Sequence, residues 1–206
     1  NRLEIDLAKD DFRVFEDDKP QTIRYFSRET NLPLRIGVLV DTSSSIRDRL
    51  RFEQEAAIDF LNTTLRPGKD SAFVVAFDVR TQMVQDYTDD LEKLSEAIRS
   101  LLAGGVTTLY DAIYFSCQEK MLIFPPPEPY LRRVLIIISD GQDNQSEHTR
   151  EEALAMAQRA EVTIYAISTN ATGLPERGDK VLRRLAEQTG GRAFFRSEST
   201  RLNSSH

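Results

Sequence analysis

Three oxygen-bearing side chains occupy alternate positions in one short stretch: Asp41, Ser43 and Ser45. They directly follow the apolar run 34–40, which has the length and β-branched content of a buried strand. In a tight turn from strand to helix, side chains at this spacing can converge on one point. One carboxylate and two hydroxyls suit a hard cation such as Mg²⁺, with oxygen ligands at about 2.1 Å, and differ from the Cys and His ligands typical of zinc. On this stretch alone a simpler interpretation stays open, in which Asp41 or Ser45 only caps the following helix.

Two further loops carry oxygen-rich clusters, at positions 104–108 and 139–144. Asp140 ends an apolar strand as Asp41 does, so a sheet that places the two strands side by side brings two carboxylates together. Two close carboxylates require a cation or a shared proton. The pair Gly104–Gly105 lets the backbone approach the site, after which Thr107 can offer a hydroxyl, with Thr108 as a competitor. Candidates for a second layer around the site, and equally for helix caps or solvent-facing positions, are Asp111, Asp143 and Asn144.

The elements that must position these loops alternate between strands and helices. Apolar runs predict strands at 34–41, 71–79, 133–139 and 162–168, with shorter strands at 81–87 and 192–195. Helical periodicity predicts helices at 47–65, 88–102, 109–124, 149–160 and 179–189. Alternating apolar residues around the turn 16–20 predict a β-hairpin near the N-terminus. Apolar strands separated by amphipathic helices indicate an α/β fold, whose mostly parallel sheet binds ligands at the carboxyl ends of its strands.

Composition limits the class of protein. Of the 206 residues, 40% are hydrophobic and 29% charged, as in a soluble globular domain with a substantial core. The net charge of -6 and the lack of a dense Lys/Arg block argue against nucleic acid as the main partner. The single cysteine, Cys117, excludes an intramolecular disulfide and is predicted to be a small buried residue. Because no apolar run reaches membrane-spanning length and no signal peptide is visible, we expect no direct membrane insertion.

The three loops together resemble the metal-ion-dependent adhesion site (MIDAS) of von Willebrand factor type A (VWA) domains. The matching motifs are Asp41-x-Ser43-x-Ser45, Gly104-Gly105-x-Thr107 and Ser139-Asp140-Gly141, in the order and approximate spacing of that family. The resemblance covers residues 32–195 and is specific because three separated motifs coincide. A bacterial branch, the VWFA-related Acidobacterial domain family, has a similar lead-in to Asp10-Asp11-Phe12-x-Val14-Phe15-Glu16-Asp17 followed by Lys19-Pro20-Gln21.

The resemblance implies a Rossmann-like three-layer sandwich, in which a mainly parallel six-stranded sheet carries helices on both faces and follows an N-terminal β-hairpin. It implies three segments, a lead-in at 1–31, a VWA domain at 32–195 and a polar tail at 196–206. It also implies a divalent cation, Mg²⁺ with Mn²⁺ or Ca²⁺ as alternatives, held by Asp41, Ser43, Ser45, Thr107 and Asp140. The serine hydroxyls would be direct ligands, and the other three side chains would act directly or through water.

In this family an Asp or Glu of a protein or peptide partner often completes the coordination of the cation. We therefore expect a non-enzymatic, Mg²⁺-dependent binding module. The family resemblance implies an exported bacterial protein, in the periplasm or on the cell surface. The sequence predicts neither the partner nor the oligomeric state.

Two other functions stay open. A metal-dependent hydrolase or phosphoryl-transfer enzyme is the alternative from a different class, because an acid beside Mg²⁺ at a strand end also serves that chemistry. Against it, no second acid closely follows Asp41, His148 is the only histidine within the domain, and no phosphate-binding Gly-x-x-x-x-Gly-Lys loop is present. The third hypothesis is a structural VWA domain whose metal site is vacant.

Overall fold

Two short strands form a hairpin in the first of the two units into which the chain divides, Asn1–Leu32 and Pro33–His206. The computed structural model describes residues 7–26, 31–122, 131–170 and 176–195. Strand β1 (Val14–Glu16) pairs antiparallel with β2 (Lys19–Gln21). Asp17 and Asp18, between them, have φ angles of 47° and 61°, as a two-residue hairpin turn requires. The predicted N-terminal hairpin is therefore confirmed.

Six strands form the sheet of the second unit: β3 (Leu34–Asp41), β4 (Ser71–Phe77), β5 (Thr81–Thr88), β6 (Arg132–Ser139), β7 (Val162–Ser168) and β8 (Ala193–Phe194). Their spatial order is β5-β4-β3-β6-β7-β8. Every neighbouring pair is parallel except β4 and β5, where the chain doubles back. In the register of the central strands, Val40 of β3 lies beside Ala76 and Ile138.

Five α-helices cover the two faces of this sheet in the part of the chain that the structure describes: α1 (Leu50–Thr64), α2 (Leu91–Arg99), α3 (Leu109–Phe115), α4 (Arg150–Arg159) and α5 (Arg177–Gln188). One buried cluster joins α1 and α2 to one face of the sheet. The other joins α3, α4 and α5 to the opposite face. This is the predicted three-layer α/β sandwich, in which amphipathic helices bury their apolar stripes against a sheet that is apolar on both sides.

The central strand β3 contributes to both layers of the core. Val38 and Val40 face α1 and α2, whereas Leu39 faces the opposite cluster. A Cβ added at Gly37 would lie 2.5 Å from side-chain atoms of both Phe73 and Leu135, which occupy the space beside the glycine. The core therefore fixes the position of β3, and with it the turn that follows Asp41.

Several element boundaries differ from the predictions. Helix α1 begins at Leu50, because residues Ser44–Ile46 form a separate 3-10 turn. Helix α3 ends at Phe115 and continues as a π-helical turn over Ser116–Met121, where Cys117 is buried as predicted. A capping box formed by Thr149 and Glu152 starts α4. The predicted tail 196–206 and the end of the predicted helix 109–124 lie outside the described residues. Among those described, no helix has the length and apolarity needed to cross a membrane.

Candidate metal-binding site

The two acid-bearing strands lie side by side at the centre of the sheet. β3 pairs with β4 on one side and with β6 on the other, so the strand order reverses between β3 and β6. In open α/β sheets, ligands bind in the crevice that such a reversal leaves outside the carboxyl ends of the strands. Asp41 ends β3, and Asp140 directly follows β6. Both carboxylates therefore lie at this crevice.

An unbroken run of side-chain oxygens crosses the crevice. Ser43 Oγ lies 3.0 Å from Ser45 Oγ, and the Ser45 hydroxyl donates to Asp140 Oδ2 at 3.1 Å. The other carboxylate oxygen of Asp140 accepts the backbone N–H of Gln142 at 3.0 Å, which fixes the direction of the carboxylate. Ser43 is buried whereas Ser45 is exposed. Ser45, the middle member of the run, is therefore open to solvent, so a ligand can reach the oxygens there.

Asp41 is fully buried, and both of its carboxylate oxygens accept hydrogen bonds. The Ser43 backbone N–H donates to Oδ1 at 2.9 Å, and the Ser139 hydroxyl donates to Oδ2 at 2.7 Å. Burial raises the pKa of Asp41, repulsion by Asp140 adds to the rise, and the hydrogen bonds from the two serines oppose it. Asp41 does accept a backbone N–H, but α1 begins after Arg49, so neither Asp41 nor Ser45 caps that helix.

Main-chain hydrogen bonds tie the loop 104–108 to the serine turn. The Gly104 N–H donates to the Thr42 carbonyl at 2.7 Å, and the Ser44 N–H donates to the Gly105 carbonyl at 3.1 Å. Gly105 has a φ of +83°, and a Cβ there would lie 2.7 Å from Val79 Cγ2. Glycine is therefore required for the close approach that the sequence predicted at this point.

The two threonines of this loop differ in their hydroxyl groups. The Thr108 hydroxyl donates to the Asp78 carbonyl at 2.8 Å, so it is already engaged away from the crevice. Thr107 is buried, and its hydroxyl has no hydrogen-bond partner within the ranges that the structure describes. The Thr107 carbonyl accepts the Asn144 N–H at 2.9 Å, which joins this loop to the one that carries Asp140. Of the two competing hydroxyls, that of Thr107 is the available one.

The oxygen spacing fits a small octahedral cation. Ligands at the Mg²⁺–oxygen distance of about 2.1 Å leave neighbouring oxygens about 3.0 Å apart. The distances along Ser43, Ser45 and Asp140 are 3.0 and 3.1 Å, which match that octahedral edge. Among the described residues no group of three or more Asp, Glu, His or Cys side chains is placed to hold a metal. A cation here would therefore depend on hydroxyl ligands as well as carboxylates.

Asp111 and Asp143 hold the loop that carries Asp140. Asp143 Oδ2 accepts the N–H of Tyr110, in the first turn of α3, at 3.1 Å. Asp111 Oδ1 accepts the His148 backbone N–H at 2.9 Å and lies 2.7 Å from His148 Nδ1. Although burial raises it, hydrogen bonds led by that of the His148 backbone hold the pKa of Asp111 below its ordinary value. Both aspartates thus order the loop, one of the two roles left open for them.

Sequence reasoning did not single out Ser139 or Glu53 as residues of this region. The Ser139 hydroxyl orients Asp41 by donating a hydrogen bond to its Oδ2. The Ser139–Asp140–Gly141 motif alone does not reveal that hydrogen bond. Glu53 is 4% exposed; its burial, followed by repulsion from the two site aspartates, raises its pKa to about 8. A signal was present, because Glu53 stands three residues after Leu50 and four before Ala57, on the apolar face of α1.

The fold and this geometry define an open α/β domain with an oxygen-rich cluster of loops at its topological switch point. The family model of the von Willebrand factor type A domain matches residues 36–205. The chain therefore belongs to the VWA domain family, as its three motifs predicted. The narrower resemblance to the Acidobacterial branch stays a prediction.

Similar proteins include one curated human relative and several solved structures. Human von Willebrand factor A domain-containing protein 3B is 26% identical over 164 residues, an alignment that covers 78% of this chain but only 12% of that protein. Three N-terminal domains of the type V pili tip protein Mfa5 from Porphyromonas gingivalis superpose with a TM-score of 0.67 at 12% identity, covering 84% of this chain and 48% of that one.

A third similar protein is proximal thread matrix protein 1 from the mussel byssus, in a structure described as having a zinc-occupied MIDAS motif. It superposes with a TM-score of 0.63 at 22% identity, over 80% of this chain and 41% of that chain. At these identities the solved structures support the VWA fold alone.

Proposed function

We propose that this domain is a metal-ion-dependent binding module that captures an acidic residue of a protein or peptide partner. The observation that carries the proposal is the run of oxygens from Ser43 through Ser45 to Asp140, spaced like the edges of an octahedron. Thr107 adds a hydroxyl without a partner among the described residues. Asp41 stands behind the serines and completes the set of five candidate metal residues.

The residues of the chain have separate tasks in this proposal. Ser43, Ser45 and Asp140 would hold the cation, with Thr107 and Asp41 acting directly or through water. A bound cation supplies a positive charge with an open coordination position, which attracts a carboxylate. The chain itself aligns the ligand oxygens through hydrogen bonds to Asp41 and Asp140, and it leaves Ser45, the middle member of the run, exposed to solvent.

The all-oxygen donor set favours Mg²⁺, with Mn²⁺ and Ca²⁺ as alternatives. Zinc belongs in the same comparison, because the mussel protein is described with zinc in its MIDAS. Isothermal titration calorimetry with each of the four metal chlorides, after treatment with EDTA, ranks them. We expect saturable binding of each metal at one site. A strong preference for zinc over Mg²⁺ would require nitrogen or sulfur ligands, and we expect none.

Alanine substitutions along the serine turn provide a matched test. Ser43→Ala and Ser45→Ala each remove an oxygen of the run and should weaken Mg²⁺ binding by about tenfold or more. Ser44→Ala is the control, because the Ser44 hydroxyl donates instead to the Gly105 carbonyl at 3.0 Å. Equal Mg²⁺ affinity in all three variants would show that the run of oxygens is not the metal site.

Capture of an acid is tested separately from metal binding. Immobilised peptides that contain Asp or Glu are compared with the same peptides carrying Asn or Gln, in MgCl₂ and in EDTA. The proposal expects binding only of the acidic peptides and only with Mg²⁺. Binding that survives EDTA and the amide replacement would instead support a structural VWA domain that works without its metal site.

The wider biology is inferred from similar proteins. The Mfa5 protein is described as a type V pili tip protein, which supports an exported, interaction-mediating role for this chain. VWA domains are generally interaction modules, and we propose that this one is not an enzyme. A hydrolase or phosphoryl-transfer activity would show itself as Mg²⁺-dependent hydrolysis of a phosphoester that Asp140→Asn abolishes.

A further inference from the structure

A cavity of about 540 Å³ opens beside the proposed metal site, between the start of α1 and the ends of β6 and β7. Aromatic side chains form much of its wall, namely Phe52, Phe194 and Phe195. Polar residues also line it, among them Arg49, Glu53 and Thr169. A space of this size, mainly apolar with a few polar groups, is typical of a small-molecule site.

The three polar residues of this wall share an unusual property. Among the described residues, four of their buried atoms make no hydrogen bond of ordinary geometry: Nη1 of Arg49, Oε1 and Oε2 of Glu53, and Oγ1 of Thr169. The Thr169 hydroxyl nevertheless lies close enough to the Glu53 carboxyl to lower the pKa of that group. The remaining terminal nitrogen of Arg49 is engaged, since it donates to the Ser45 carbonyl at 3.1 Å. Buried polar groups in proteins are nearly always paired, so four unpaired atoms in the wall of one cavity indicate a ligand that would pair them.

A neighbouring Arg–Glu pair at the same spacing forms an ion pair that Arg49 and Glu53 do not form. Arg51 and Glu55 have the same types and the same spacing, and their side chains form an exposed ion pair at 3.7 Å. Arg49 and Glu53 form no such ion pair, because neither Glu53 oxygen has a hydrogen-bonded partner within the described ranges. Nη1 of Arg49 and the Glu53 carboxyl, one helical turn apart, are thus both available to a third group, and the carboxyl gains its charge as pH rises towards about 8.

We propose that this cavity binds an aromatic α-amino acid, whose ammonium group pairs with Glu53 and whose carboxylate pairs with Arg49. An α-amino acid carries its two charges a short distance apart, as these two neighbours on one helix face require. Its ring then packs against the phenylalanines of the wall, where aromatic contacts add to burial. Glu53 and Thr169 both line the cavity, and the Thr169 hydroxyl can bond to either end of the zwitterion.

The electrostatics of the wall favour an ammonium group at Glu53. The carboxyls of Asp41 and Asp140 repel its charge and Arg49 attracts it, and burial has the largest effect, so its pKa rises to about 8. Asp48 also lines the cavity and adds a second acid near its mouth. A bound ammonium supplies the positive charge that the carboxylate lacks, so affinity should increase as pH rises from about 6.5 to 8.5.

Calorimetry with three related compounds tests the two charges separately. The protein is titrated in EDTA at about pH 8 with L-phenylalanine, with 2-phenylethylamine, which has only the ammonium, and with 3-phenylpropanoate, which has only the carboxylate. We expect saturable binding of L-phenylalanine and affinities lower by about tenfold or more for both analogues. No binding of L-phenylalanine, or an analogue that binds equally well, overturns the proposal.

Substitutions on α1 provide the matched controls. Glu53→Gln keeps the shape of the side chain and should weaken L-phenylalanine binding by about ten- to a hundredfold, whereas the exposed Glu55→Gln should leave it unchanged. Unaltered affinity in Glu53→Gln overturns the assignment. If that variant does not fold, as judged by circular dichroism, the three compounds on the unmodified protein still decide. Because EDTA is present throughout, this result does not depend on the proposed metal site.

Discussion

Replacing Glu53 with glutamine should change the pH dependence of folding. Glu53 keeps its proton in the folded chain up to about pH 8, whereas its ordinary pKa is 4.5. Between these values the unfolded state has lost the proton and the folded state retains it, so stability falls as pH rises. The contribution of Glu53 is fully present below the ordinary pKa and is lost through the pKa of the folded state.

The magnitude follows from the same difference. Each pH unit in this window lowers the free energy of unfolding by about 1.4 kcal/mol, so the interval from about pH 6 to 7.5 corresponds to about 2 kcal/mol. The amide of Glu53→Gln does not titrate, and its own burial affects stability equally at every pH. Over that interval the free energy of unfolding of the variant should therefore rise by about 2 kcal/mol relative to that of the unmodified protein. Asp41, also with a raised pKa, is present in both proteins and does not affect their difference.

Urea unfolding at several pH values measures this difference. The chain has no tryptophan, so far-UV circular dichroism is the suitable signal. EDTA keeps metal ions from contributing. Glu55→Gln is the control, because the Glu55 side chain is 68% exposed and its charge should have little effect. Parallel stability curves for Glu53→Gln and the unmodified protein would refute the reasoning, since they would mean that Glu53 is charged in the folded state.

Two further substitutions test how the elements are held. Asp70→Asn should lower the free energy of unfolding by about 3 kcal/mol in urea, because the buried carboxylate pairs with Arg66 at 2.7 Å and accepts the Leu34 N–H; an unchanged urea midpoint would contradict this. Gly37→Ala should destabilise the protein by about 1–3 kcal/mol, seen as a lower midpoint of thermal unfolding, because the new Cβ would lie 2.5 Å from Phe73 and Leu135; an equal or higher midpoint would show that the core can adjust.

The fold was predictable because the signals for it are local and repeated. Each buried strand is a continuous apolar run, and each helix shows its apolar stripe, so the alternation alone indicates a parallel α/β sheet. Element ends were less predictable. The helix predicted from Arg47 starts at Leu50, because the turn at Ser44–Ile46 uses its hydrogen bonds to reach the loop at Gly105. Such a contact joins residues far apart in the chain, and helical periodicity carries no information about it.

The candidate site, like the fold, was predictable only in part. The sequence could bring Asp41 and Asp140 together only on the condition that their two apolar strands are neighbours in the sheet. The strand order, in which β3 lies beside β6, meets that condition. The choice between Thr107 and Thr108 depends on the Asp78 carbonyl, which accepts the Thr108 hydroxyl. Nothing in the spacing of the glycines reveals that bond. Motifs thus predict which loops meet, whereas hydrogen bonds across loops decide which oxygens are available.

At Glu53 the apolar pattern of α1 and the chemistry of the side chain disagree. Its position in the heptad-like stripe of α1 predicts an apolar residue, and an apolar residue there would remove the unfavourable burial of a carboxyl. A carboxyl group is instead buried there, and burial together with two nearby aspartates raises its pKa. Any cation or ammonium group bound in this region would offset that repulsion. A polar residue on the buried face of a helix, next to loops that carry acids, is therefore a better guide to ligand binding than the same residue on an exposed face.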